Sequence, residues 1–317
     1  MLIRPKRLQP GDTIGIMAPA SAPPEPKNLD LAVAVLEKLG FKVKLAPNVR
    51  KRLGFLAGSD RERAGGLMRL FADRHVNAIL CLRGGYGSAR LLPLLDHGAI
   101  RANAKILVGY SDITSLHCAL LTKARLISFH GPMLNSDFVH KDMPSFTLSS
   151  FLRTLTQTTP PGGISRNYRR NTVKVLRRGI ARGPLIGGNL SLLCTTIGTP
   201  WQPPFRNCIL FLEDLSEPPY RFDRMLTHLL NCGLLQRVAG IAIGINHDCE
   251  DPKAKRAGEF RQSLEDVFRE RLLRLRIPVV MGLPFGHVPY NATLPVGVRA
   301  TLDGDQGELF LTEPAVC

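Results

Sequence analysis

The sequence predicts an α/β protein, with an N-terminal parallel-sheet domain carrying a nucleophile turn and a smaller C-terminal α+β domain. Three observations lead there. Short apolar runs alternate with amphipathic helical stretches through the first half. Two of those runs end in turns rich in glycine or led by serine. After residue 150 the composition becomes polar, basic and broken by Pro and Gly before a second set of apolar runs begins.

Taken in order, residues 13–18 read as a short buried strand rather than the core of a secretory signal, because Gly15 and Pro19 interrupt the apolar stretch and Asp12 precedes it. Residues 28–39 (NLDLAVAVLEKL) repeat apolar positions at helical spacing and stop at Gly40. A strand is expected over 42–46. An amphipathic helix over 60–74 opens with an acid at its N-cap. Strand 77–82 (NAILCL) runs into the turn RGGYG, and a helix over 88–95 follows. Strand 106–109 then leads into a helix over 112–121. Strands separated by such helices form right-handed βαβ units, and in open sheets of that kind ligands bind beyond the carboxyl ends of the strands.

The domains expected are 1–152, a basic connector over 153–182, and 183–317. In the last of these, GPLIGGNLSLLCTTIG reads as a glycine turn opening a helix. Residues 208–212 (CILFL), 238–245 and 278–282 read as strands, 221–232 and 261–273 as helices, and 293–311 alternates as β-structure.

Of 317 residues, 42 are Lys or Arg and 26 Asp or Glu, a formal charge of +16 that favours anionic partners without bearing on fold. The densest basic run comprises Arg166, Arg169, Arg170, Lys174, Arg177, Arg178 and Arg182. With Tyr168 its sole aromatic and no recognition-helix pattern beside it, the run reads as a solvated connector and not a nucleic-acid surface. No apolar run approaches the ~18 residues a membrane span needs. The seven cysteines form no CxxC pair, which excludes a zinc knuckle and a disulfide framework and fits a reducing cytoplasm. No HExxH or similar pair offers metal ligands.

Chemistry could reside at four places. In KILVGYSDIT an apolar strand ends in glycine and Ser111 stands at the mouth of a helix, so its hydroxyl can be lifted off the sheet edge. An N-cap serine would look the same, and the GxSxG pattern is broken by Ile113. The turn RGGYG after residue 82 satisfies neither GxGxxG nor the Walker pattern. Its adjacent glycines instead allow close approach of backbone N–H groups to a ligand. Glu213 and Asp214 follow strand 208–212 and could orient a histidine or hold a turn. His287 closes GLPFGH directly after a strand, in a glycine-flanked loop.

Together the strings APAS, RGGYGSARLL, GYSDITSLH, GPLIGGNLSLL, IGTPW, FLEDLSEPPYRFDRML and GLPFGH, in that order, resemble the LD-carboxypeptidases, a family of serine peptidases. The resemblance spans nearly the whole chain. It implies a Ser111–His287–Glu213 triad, with Glu217 the alternative acid, and an oxyanion hole from the backbone N–H groups of Gly85 and Asp112. It also implies an active site between two domains and a homodimer, with no cofactor. The implied substrate is a cytoplasmic muropeptide, cut between a diamino acid and terminal D-alanine; Arg83 is a candidate for its free carboxylate. A rival within the superfamily hydrolyses a peptide-nucleotide antibiotic. Such relatives carry extra aromatic-bearing loop sequence, whereas Trp201 is the one tryptophan here and lies close to Glu213. A non-catalytic binding module is the reading from outside enzymology.

Overall fold

The computed structural model describes residues 1–25, 27–140, 142–168, 172–250 and 262–317. Strands β1 (Thr13–Met17), β3 (Ala78–Cys81) and β4 (Ile106–Gly109) are almost wholly buried, as short apolar runs flanked by helices on both faces must be. With β2 (Lys42–Leu45) and β5 (Ser128–His130) they make a parallel sheet, whose far edge is closed by antiparallel β12 (Leu294–Val296). The order is β12-β5-β4-β3-β1-β2, so the direction of winding reverses between β1 and β3. A crevice opens at the carboxyl ends of two such strands.

The helices around it are α1 (Lys27–Lys38), α2 (Asp60–Ala72), α3 (His97–Ala102), α4 (Thr114–Ala119) and α5 (Ser145–Thr156). The N-cap of α2 is Ser59 and not the following acid. Ser59 Oγ accepts from Glu62 N while Glu62 accepts from Ser59 N, a reciprocal pair that satisfies two helix-end donors. Residues 88–94 wind as a tight 3₁₀ helix around Pro93, whose ring cannot join an α-helical ladder.

The second sheet has eight strands in the order β6-β14-β13-β8-β9-β10-β11-β7. Its parallel centre is β8 (Ile180–Asn189), β9 (Ile209–Glu213), β10 (Gly240–Gly244) and β11 (Val279–Leu283). Antiparallel β13 (Arg299–Asp303), β14 (Glu308–Leu311), β6 (Gly162–Gly163) and β7 (Lys174–Arg177) flank it. Helices α6 (Leu190–Thr195), α7 (Pro219–Asn231) and α8 (Leu264–Leu272) pack alongside.

The glycine-rich segment expected as a turn is instead the end of the long strand β8. Gly183 and Gly187 lie so close to the carbonyls of Asn207 and Phe211 that any Cβ would collide with backbone. The glycines let β8 pack tightly; they do not bend it. Residues 153–182, expected as a connector, carry the end of α5, β6, β7 and the start of β8. Arg169 and Arg170 of the basic run, and Arg261 at the expected helix start, lie outside the described residues.

The two halves interlock. Val298, Ala315 and Val316 pack in the core of the first sheet, while Cys118, Leu121 and Phe146 pack in the core of the second. Among the described residues, no helix is long and apolar enough to cross a membrane.

Candidate active site

Ser111 follows β4 with φ 62°, a left-handed conformation costing a non-glycine residue about 1–2 kcal/mol. The neighbours impose it. A Cβ on Gly109 would lie 2.8 Å from the Ile113 side chain and 3.1 Å from Cys81, so the chain leaves the strand through a space only glycine fits. The next residue, Asp112, is buried and tied down: Ser88 N donates to its carboxylate at 2.8 Å, and Ser88 Oγ donates to its carbonyl. Burial pushes the Asp112 carboxyl above its usual range, against the bonds from Ser88 and the charge of Arg63.

The RGGYG turn lies against this serine. A Cβ on Gly84 would sit 3.0 Å from Ser111 Cβ, 3.2 Å from its Oγ and 3.3 Å from Asp112 N. Gly85 has φ 102° and is exposed, and a side chain there would overlap Ser21. Ser21, from the APAS string after β1, locks the turn. Its N–H donates to Gly84 O at 3.3 Å and its hydroxyl accepts from Tyr86 N at 3.1 Å. Fully buried Arg63 buttresses the other side, donating to Gly87 O at 2.8 Å and to Pro19 O, with Asp60 as its ion-pair partner. Backbone N–H groups are thus brought beside the serine in a rigid frame.

The acid and the imidazole arrive from the second sheet. Parallel strands place the carboxyl ends of β9 and β11 at the same end of the sheet, with β10 between them. Glu213 closes β9, opposite Asn189 of β8, and is fully buried. His287 follows β11, and its Nδ1 lies 2.6 Å from Glu213 Oε2. Gly286 makes that approach possible: with φ 116°, a Cβ there would stand 2.8 Å from Ile245 O and 3.2 Å from the Glu213 carboxylate. Glu217 turns away and pairs with Arg221 at 3.1 Å. The His287 ring packs edge-on against Tyr110, the residue before Ser111, with centroids 4.8 Å apart. The structure therefore sets the Glu213–His287 pair against Tyr110, the residue before Ser111, and the Gly84 turn against Ser111 and Asp112 N.

Burial alone would lower the His287 pKa, but the Glu213 charge and hydrogen bond outweigh it, and the net shift is upward. Burial likewise opposes ionisation of Glu213, and the charge and hydrogen bond of His287 outweigh it, leaving its pKa lowered. Each partner thus favours the charged form of the other.

Several supporting residues had no sequence signal of their own. Tyr110 carries its hydroxyl to buried Asp137, which also accepts from Met133 N at 2.8 Å. Burial pushes the Asp137 carboxyl up to about 6. Asp214, beside Glu213, accepts from Asn189 Nδ2 at 2.8 Å and from Ser191. Thr114 Oγ1 of α4 accepts from Asn189 N at 3.0 Å, which pins the helix after Ser111 to the strand beside Glu213. A cavity of about 430 Å³, lined in part by Tyr110, Ser136, Asp137 and Leu215, opens at His287. Arg83 is half-buried and donates to Ala22 O at 3.2 Å. Among the described residues, no cluster of three His, Cys, Asp or Glu side chains forms a metal-binding group.

Comparison with known proteins places this geometry. Residues 14–131 match the LD-carboxypeptidase N-terminal domain and residues 182–302 the LD-carboxypeptidase C-terminal domain. The chain is 39% identical to a probable murein peptide carboxypeptidase of Bacillus subtilis, over 95% of this chain and 91% of the relative. It is 32% identical to the microcin C7 self-immunity protein MccF of Escherichia coli, over 96% and 94%. A structure of that immunity protein superposes with a TM-score of 0.88, covering 99% and 100% at 30% identity. A muramoyltetrapeptide carboxypeptidase from Oxalobacter formigenes superposes at 0.82, covering 95% and 99% at 34% identity.

Proposed function

The chain belongs to the LD-carboxypeptidase family, and on that premise we propose that it is a serine carboxypeptidase that removes terminal D-alanine from the L,D-linked tetrapeptide of muropeptides. The observation that carries the reading is the 2.6 Å Glu213–His287 bond delivered against Tyr110, next to a serine held at φ 62°. Serine is a weak nucleophile at its free pKa, so neutral His287 takes the Ser111 proton as Oγ attacks the scissile carbonyl. Glu213 holds the imidazole with Nδ1–H toward it and stabilises the imidazolium that forms. The Gly85 and Asp112 N–H groups receive the oxyanion; removing one such donor typically costs about 2.7–4 kcal/mol of barrier. His287 then protonates the departing amine. Water, activated by the same ring, releases the acyl group from Ser111. Arg83 receives the free carboxylate of the departing residue. Recycling of wall fragments in the cytoplasm by a homodimer is the setting that accords with this chemistry.

The likeness to MccF supports a second reading, hydrolysis of a peptide-nucleotide conjugate. The single tryptophan counts against it: Trp201 is half-buried against the first core rather than presented to stack on a base. One experiment separates the readings. The purified protein is incubated with L,D-linked tetrapeptide, D,D-linked pentapeptide and an aminoacyl sulfamoyl nucleoside, and products are read by mass spectrometry. Release of D-alanine from the tetrapeptide alone is expected, and Ser111→Ala should abolish it while the circular-dichroism spectrum stays unchanged. Undiminished turnover in that variant would overturn the mechanism.

A further inference from the structure

Across the Gly84–Gly85 turn from Ser111 lies a second cavity, of about 270 Å³. It occupies the crevice where the winding of the first sheet reverses. Ser21 and Ala22 come from the loop after β1, Arg52 and Phe55 from the loop after β2, and Arg83 from the turn after β3. No acid lines it.

Both guanidinium groups are held in place by one loop. Arg83 Nη1 donates to Ala22 O at 3.2 Å, and Arg52 Nη2 donates to Pro23 O at 2.7 Å and Pro24 O at 3.3 Å. The adjacent cations Arg50 and Lys51 are neutralised by Asp30 and Glu62. Among the described residues, Arg52 and Arg83 have no carboxylate partner. Phe55 and Tyr86, 62% and 55% exposed, stand at the rim in edge-to-face contact with centroids 5.5 Å apart. A Cβ on Gly85 would lie 3.5 Å from Arg83 Nη2, while Gly84 abuts Ser111 itself. The Gly84–Gly85 turn thus stands between Arg83 and the serine.

We propose that Arg52 and Arg83 together form a carboxylate subsite that grips the free C-terminal carboxylate of the residue to be released, with Phe55 and Tyr86 walling its side chain. The proposal rests on the peptidase reading and extends it. Size and charge sort the two cavities. The small, acid-free, arginine-lined one suits a single anionic residue, and the larger one at His287, which bears Asp137, takes the remaining peptide. Two cations across the glycine turn from the nucleophile make the enzyme an exopeptidase, because an internal bond presents an amide there and no charge.

The test compares kcat/KM on the tetrapeptide with a free terminal carboxylate and on the same peptide ending in alaninamide. Charge-assisted, bidentate recognition predicts a wild-type preference of about 100-fold for the acid. Arg52→Gln and Arg83→Gln should each cut that preference about tenfold, chiefly through KM of the acid, and Arg52→Lys should recover part of it. A second readout does not need turnover: D-alanine should raise the melting temperature of the wild type, alaninamide should not, and both Gln variants should lose the response. An unchanged acid-to-amide ratio in both variants overturns the subsite and leaves the peptidase reading standing. A carboxylate-specific, arginine-dependent thermal shift without peptide turnover overturns the reading and supports the subsite.

Discussion

At Ser111, φ 62° is retained by any L-residue, so replacing the hydroxyl and relieving the strain are separable. Ser111→Ala should melt with the wild type. Ser111→Gly should be more stable by about 1 kcal/mol in denaturant titration, and both should be inactive. The Glu213–His287 pair sets the pH response. His287 must be neutral to act and its pKa is raised, so kcat/KM should climb through a limb above the ordinary value of ~6.5. In Glu213→Gln the counter-charge is gone and burial remains, so the limb should move below that value while kcat falls by about 10³–10⁴; a pH–rate profile reads both. Linkage gives the matching stability window. The His287 contribution is complete below its unfolded pKa and lost as pH rises through the raised folded value. That of Glu213 is present above its unfolded pKa and lost as pH falls through the lowered one. These residues stand out in the sequence because each follows an apolar run, with Gly109 shortly before Ser111 and Gly286 directly before His287. Tyr110 and Asp137 do not, because a tyrosine at a strand end and an acid in an unpatterned loop carry no spacing that marks their meeting.

Among the elements, α5 acts as a clasp for the loop that carries His287. Thr147 Oγ1 donates to Pro289 O at 2.6 Å and accepts from Asn291 N at 3.0 Å, and Ser150 Oγ accepts from Thr293 N at 3.1 Å. Thr147→Val keeps the shape and removes both bonds. It should cost about 1–3 kcal/mol in thermal or chemical unfolding and lower kcat more than it raises KM, because the imidazole loses its mooring. Gly188 serves the opposing contact: at φ 140°, a Cβ there would lie 2.6 Å from Thr114 Oγ1, so the strand beside Glu213 meets the helix after Ser111 without a side chain between them. Strands β1 to β4 of the first sheet are legible as short runs between helices, while β5 carries no such signal. The end of β8 is not legible, since three glycines in six residues signal a turn locally and are explained only by the atoms they touch. β12 falls in the tail legible as β-structure, but its partner is not legible: three residues including a proline pair with β5, distant in sequence.

For the molecule as a whole, the proposed triad is divided between two sheets whose cores exchange residues in both directions. Trp201 comes from the second half of the chain and packs on the first core, so its fluorescence reports the docking of the halves. Unfolding followed by that signal and by far-ultraviolet circular dichroism should give coincident midpoints; two separated transitions would show that the halves melt independently. The +16 charge, visible in composition, does not locate the site. Two of its cations, Arg52 and Arg83, line the cavity in the sheet's crevice, and the proposed subsite rests on that placement.

The return of β12 to the first sheet also bears on how the protein is made. Synthesis proceeds from the N-terminus, so the edge of β5 remains without a neighbour until residue 296 has left the ribosome. The last residues then complete the same half, where Cys317 N donates to Pro5 O at 3.0 Å and Arg7 N to Cys317 O at 2.9 Å. A nascent chain therefore holds Ser111 long before His287, and the proposed triad can assemble only once both halves have emerged.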